Sequence, residues 1–104
     1  MIHSKETVLE KELRNKVSEW REEVVAVLSD LISFPTINPP GESYKECVSY
    51  LAAKLKSWGI ENSLVTVPNG KHPRFSLLGE HGQGKRGLHF HGHFDVVPAQ
   101  SSSQ

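Results

Sequence analysis

The segment Gly87-Leu88-His89-Phe90-His91-Gly92-His93-Phe94-Asp95-Val96-Val97-Pro98 alternates polar and apolar residues with a period of two, the pattern of a half-buried β-strand. On a strand His89, His91, His93 and Asp95 share one side, with same-side neighbours about 6.6 Å apart, and Leu88, Phe90 and Phe94 lie on the other. Val96 and Val97 favour inward packing, and Pro98 ends the ladder at a sheet edge.

Working outward, Gly82-Gln83-Gly84-Lys85 reads as the turn into this strand. Two shorter runs precede it, Leu64-Val65-Thr66-Val67 and Phe75-Ser76-Leu77-Leu78, separated by Pro68-Asn69-Gly70-Lys71-His72-Pro73. Before Gly59 the period changes to that of a helix. Tyr44, Cys47, Val48, Leu51, Leu55 and Trp58 line one face, and Ser43-Tyr44-Lys45-Glu46 has the form of a capping box. Phe34-Pro35-Thr36-Ile37-Asn38-Pro39-Pro40-Gly41 must be an ordered loop, because three prolines remove backbone donors. From about Thr7 to Ser33 the spacing of Leu9, Leu13, Val17, Trp20, Val24, Val27, Leu28 and Leu31 predicts one long amphipathic helix. Its start at Thr7-Val8-Leu9-Glu10 also fits a capping box, and Glu10 with Arg14 and Glu12 with Lys16 stand at i, i+4. The expected fold class is α/β: two N-terminal helices followed by three strands.

The composition narrows the function classes. The chain has 104 residues, 37 % of them hydrophobic and 23 % charged, which suits one small domain and leaves no room for a second. A three-layer α/β architecture normally needs roughly 150 residues or more to cover both faces of its sheet, so an incomplete domain is expected. Twelve basic residues balance twelve acidic ones, and no net field favours nucleic acid or an anionic membrane. No membrane span or signal-type apolar region is present in the sequence, and the single cysteine, Cys47, excludes an internal disulfide. A cytoplasmic location is the expectation. Cys47 lies on the apolar stripe of its helix and reads as a buried structural thiol.

Gly79-Glu80-His81-Gly82-Gln83-Gly84-Lys85 matches the spacing of a phosphate-binding loop. Arg86 then stands where a Mg²⁺-binding Ser or Thr belongs, and a strand follows where a helix should receive the phosphate. A glycine-rich turn accounts for the spacing. The histidine-rich strand is the more informative feature. A histidine that holds a metal through one ring nitrogen usually donates its other N–H to a carboxylate or carbonyl, and Asp95 is spaced to serve His93 in this way. Ordinary strand residues and a metal site both remain compatible with the pattern, and two ligands would be too few to close a site.

Gly92-His93-Phe94-Asp95-Val96-Val97-Pro98-Ala99 strongly resembles the G-H-x-D-V-V-P-A motif of the acetylornithine deacetylase, succinyl-diaminopimelate desuccinylase and carboxypeptidase family of zinc-dependent hydrolases. The resemblance extends back through Leu28-Ser29-Asp30-Leu31-Ile32-Ser33-Phe34-Pro35-Thr36-Ile37-Asn38-Pro39-Pro40-Gly41-Glu42 and Leu55-Lys56-Ser57-Trp58-Gly59, covering roughly Glu22 to Ala99. It implies that residues 1–104 form the N-terminal portion of a three-layer α/β/α zinc-peptidase catalytic domain. His93 would be a zinc ligand, and Asp95 the residue of the catalytic centre that orients it. It gives no metal role to His89 or His91.

In such a family the intact site carries two zinc ions, with cobalt or manganese as substitutes, and acts on an N-acyl amino acid or small peptide. Its members are often homodimers. The remaining ligands, a glutamate base and a dimerisation domain would lie downstream, and past Pro98 the sequence holds no acidic residue. The expectation is therefore a fragment, inactive alone and weak in zinc binding. Two rival readings stand beside it: a stand-alone binding module derived from the peptidase, and a metallo-β-lactamase-like hydrolase. His91-Gly92-His93-Phe94-Asp95 fits the H-x-H-x-D part of the latter's motif, but Val96 replaces the final His and the chain leads with helices.

Overall fold

The computed structural model describes residues 5–99. It is an α/β chain of three helices and two antiparallel strands: α1 (Val8–Glu19), α2 (Arg21–Ser33), α3 (Tyr44–Ser57), β1 (Glu61–Val67) and β2 (Arg74–Glu80). The chain divides into two compact units, with the boundary in the sequence between Ser33 and Phe34.

The first unit corrects the expectation of one long helix. Thr7 caps α1, its hydroxyl accepting from the Glu10 amide at 3.1 Å, which satisfies one of the free donors of the first turn. At Trp20 the backbone leaves the helical region, with ψ at 5°. The Trp20 amide still donates to Lys16 and its carbonyl accepts from Val24. The apolar spacing runs through this point unchanged, so the step left no mark in the periodicity. The expected i, i+4 pairs give way to others: Arg14 reaches back to Glu6 at 2.6 Å and Lys16 meets Glu19 at 3.4 Å. These pairs are exposed and contribute little to stability.

The second unit is organised around α3. Tyr44, Cys47 and Val48, the first half of the expected apolar stripe, are buried on its inner face, whereas Leu51 and Leu55 are half-buried and Trp58 is exposed. Ser43 does not cap this helix. It sits in the left-handed region at φ 58° and makes no side-chain capping bond, so the second expected capping box is absent. The helix ends as the sequence predicts. Gly59 adopts φ 78°, its amide donates to Lys56, and the Ile60 amide donates to Leu55. This is the paired closure that a glycine in the left-handed conformation permits.

β1 and β2 form a hairpin in which Leu64 faces Leu77 and Thr66 faces Phe75. The face bearing Asn62, Leu77 and Gly79 packs toward α3. Asn62 Nδ2 donates to the Ala52 carbonyl at 3.2 Å, and a Cβ on Gly79 would lie 3.3 Å from Leu55 Cδ1. The opposite face, with Val65, Val67 and Leu78, is exposed.

The third expected strand, 87–93, does not form. Residues 87–95 carry no ladder, and the segment's single β contact is a parallel bridge between Ile37 and Val96. Alternation supplies strand propensity, but a strand needs a partner backbone to satisfy its N–H and C=O groups. Leu88 and Phe90, meant for a buried face, are 82 % and 84 % exposed. The sheet of the described residues is thus a two-stranded hairpin covered by a helix on one face.

Candidate functional site

The loop after α2 and the segment before Pro98 are tied together at several points. The Val96 amide donates to the Thr36 carbonyl at 2.8 Å, and the Asn38 amide donates to the Val96 carbonyl at 2.9 Å. Thr36, 1 % exposed, donates its hydroxyl to the Phe94 carbonyl at 2.7 Å. Phe94 then sets its ring edge-on to Tyr44 of α3, 5.4 Å between centroids, a favoured aromatic geometry. Residues 94–96 are held on both sides, by the loop and by the first turn of α3.

That clamp leaves His93 and Asp95 side by side. His93 Nδ1 lies 2.8 Å from Asp95 Oδ1 and 3.1 Å from the Asp95 carbonyl oxygen. Both neighbours accept hydrogen bonds, so Nδ1 must carry the proton. The neutral ring is then the Nδ1–H tautomer with its lone pair on Nε2. The His93 side chain is 81 % exposed, and Nε2 remains available to a ligand.

Asp95 is fully committed. Oδ1 takes the imidazole, and Oδ2 accepts from Asn38 Nδ2 at 3.1 Å. Its pKa is lowered from the ordinary carboxylate value. The Asn38 hydrogen bond is the largest cause; desolvation opposes the shift, while the hydrogen bond and charge of His93 reinforce it. The carboxylate is accordingly ionised at neutral pH and acts as an acceptor on both oxygens.

The donor set can be tested against the zinc that the resemblance implies. A lone Nε2 on an exposed ring, with Nδ1–H anchored to a carboxylate, is the arrangement in which histidine binds zinc, cobalt or manganese. The residues fit as one ligand and its support. Among the described residues no group of three or more His, Cys, Asp or Glu side chains could hold a metal ion. His89 and His91 lie on the exposed segment, and neither belongs to a three-ligand cluster with His93 among the described residues.

Sequence reasoning placed His93 beside Asp95 through strand alternation. The pairing is present, although a clamped loop and a single bridge produce it. In the sequence Asn38 and Thr36 are legible only as loop residues. Their contacts span 57 and 58 residues of sequence, and no local pattern signals them. Cys47 is buried, and burial raises its thiol pKa, in keeping with a structural role.

No family model matches the chain, and no solved structure does. Among curated proteins it is similar to N-formyl-4-amino-5-aminomethyl-2-methylpyrimidine deformylase of Halalkalibacterium halodurans, 28 % identical over 94 residues, which are 89 % of this chain and 22 % of that protein. It is 32 % identical over 78 residues to acetylornithine deacetylase of Edwardsiella ictaluri, 71 % of this chain and 20 % of that protein. It is also 32 % identical over 74 residues to succinyl-diaminopimelate desuccinylase of Ehrlichia chaffeensis, 71 % and 19 % respectively. The chain spans about a fifth of the length of the curated relatives it matches. The similarity supports a broad kinship with amidohydrolase-type enzymes. No helix of the described residues is long and apolar enough to cross a membrane.

Proposed function

We propose that this chain contributes His93 as a ligand, and Asp95 as its orienting partner, to a divalent-metal centre that hydrolyses the amide bond of an N-acyl amino acid or small peptide. The observation that carries this reading is the 2.8 Å contact between His93 Nδ1 and Asp95 Oδ1 on an otherwise exposed imidazole. Kinship with a deformylase, a deacetylase and a desuccinylase supports amide deacylation as the chemistry.

A metal bound there would polarise the substrate carbonyl and lower the pKa of a water molecule. The chain's own residues do simpler things. Asp95 keeps the proton on Nδ1 and makes the ring more basic; Nε2 presents its lone pair; Asn38 and Thr36 hold the segment still. One histidine falls short of the three protein ligands of a catalytic zinc site. The centre therefore requires further ligands from additional polypeptide, and the 104-residue chain by itself is inactive and binds zinc weakly.

Titration of the purified chain with Zn²⁺, followed through the ring resonances of its histidines, tests this. His93 is expected to respond selectively, and the response is lost in His93→Ala. A wild-type chain in which Zn²⁺ perturbs His89 and His91 as much as His93 would refute the assignment. Metal-dependent release of product from N-acetylornithine, succinyl-diaminopimelate or a dipeptide by the chain alone would refute its inactivity.

A second reading, an interaction module without catalysis, draws on the exposed Leu88 and Phe90. It predicts a stable, metal-free monomer in size-exclusion chromatography.

A further inference from the structure

The His93–Asp95 contact joins residues two apart on an exposed segment, and such a contact is weak unless something fixes the carboxylate. A free aspartate side chain can turn either oxygen, or neither, toward the ring. Asn38 removes that freedom. Its amide nitrogen holds Oδ2 at 3.1 Å, its backbone N–H holds the Val96 carbonyl at 2.9 Å, and its side chain is half-buried. The donor is therefore anchored by the same loop that grips residues 94–96.

We propose that Asn38 is a positioning residue that fixes the rotamer of the Asp95 carboxylate, and through it the Nδ1–H tautomer of His93. Its effect is to leave Nε2 as the lone-pair atom. The relay runs from Asn38 Nδ2–H to Asp95 Oδ2 and from His93 Nδ1–H to Asp95 Oδ1, the shorter of the two contacts at Nδ1, with the Asp95 carbonyl oxygen at 3.1 Å. An unconstrained neutral imidazole favours the opposite, Nε2–H tautomer, which presents no lone pair at Nε2. Asn38 thus acts on the ring without touching it. The consequence for a metal rests on the metal-centre reading above; the tautomer does not.

The test is a long-range proton–nitrogen correlation on histidine-labelled 104-residue chain at a pH where the rings are neutral, with His93 assigned from His93→Gln. In the wild type His93 is expected to give the Nδ1–H pattern. In Asn38→Ala and in the near-isosteric Asn38→Leu it is expected to shift toward Nε2–H. The Val96 amide resonance should stay in place, which reports that the clamp survives. Retention of the Nδ1–H pattern in either folded variant overturns the proposal.

A second measurement needs no substitution at 38. One side-chain amide proton of Asn38 should be protected from exchange in the wild type and lose that protection in Asp95→Ala, and an unprotected wild-type proton overturns the proposal equally. Added Zn²⁺ separates the two readings. If His93 binds it, the Asn38 variants should weaken binding, by at most the roughly ten- to hundredfold that loss of a ligand's direct hydrogen-bond partner costs. A tautomer that follows Asn38 while Zn²⁺ never perturbs His93 supports the positioning role and refutes the metal centre.

Discussion

Replacing Thr36 with valine removes one hydroxyl from the clamp and leaves the shape almost unchanged. Thr36 is 1 % exposed, and its hydroxyl donates to the Phe94 carbonyl at 2.7 Å. The lost hydrogen bond is worth about 0.5–1.5 kcal/mol net, and a buried carbonyl left without a partner costs about 1–3 kcal/mol. Phe94 is half-buried, so water can partly reach its carbonyl and the lower part of that range applies. The added methyl group returns up to about 0.8 kcal/mol of apolar burial. The balance is a destabilisation of about 1 kcal/mol, a downward shift of roughly 0.5–1 M in the urea midpoint for a chain of this size.

Urea unfolding followed by circular dichroism measures the global term, and hydrogen exchange at the Val96 amide measures the local one. That amide donates to the Thr36 carbonyl and should exchange faster in Thr36→Val. A variant as stable as the wild type, with unchanged exchange at Val96, would refute the account of Thr36 as a clamp.

Other perturbations report on the second unit. Val48 is fully buried, and Val48→Ala should cost about 2–3 kcal/mol from two lost methylene equivalents and the cavity left behind, read as a lowered thermal midpoint. Gly41 holds φ 97°, and a Cβ there would collide with the Arg74 guanidinium and lie 2.9 Å from the Tyr44 ring. Gly→Ala at an unstrained site stabilises slightly, so Gly41→Ala should stand out by destabilising by about 1–2 kcal/mol or more, and equal stability in denaturant would contradict the packing.

Burial raises the Cys47 pKa. The folded value exceeds the unfolded one, so this contribution to stability is complete below the unfolded thiol's pKa and fades as pH rises through the folded value, in the region above about pH 8.5. Thiol-reagent kinetics should be slow in the native chain and accelerate in denaturant at the same pH; equal rates would refute burial.

Much of the architecture was readable because it depends on local periodicity. The stripe of Tyr44, Cys47 and Val48 needs only a helix and an apolar neighbour. Gly59 ends that helix through a conformation that glycine reaches at little cost. Both β runs were found, each shorter than the observed strand, since the polar ends Glu61–Ser63 and Gly79–Glu80 carry no β signature and belong to the ladder only through pairing.

His93 and Asp95 are two residues apart, so their proximity was available to the sequence, and so was the motif through which the chain resembles amide hydrolases. What holds the pair was not. The Thr36 and Asn38 contacts close long loops of chain, and no residue pattern specifies which carbonyl or carboxylate a loop asparagine will meet. The same cause explains the missing third strand. Alternation at 87–93 gives a segment the capacity to pair, but a ladder forms only where a second backbone is brought alongside. Here the fold brings Ile37 to Val96 and goes no further.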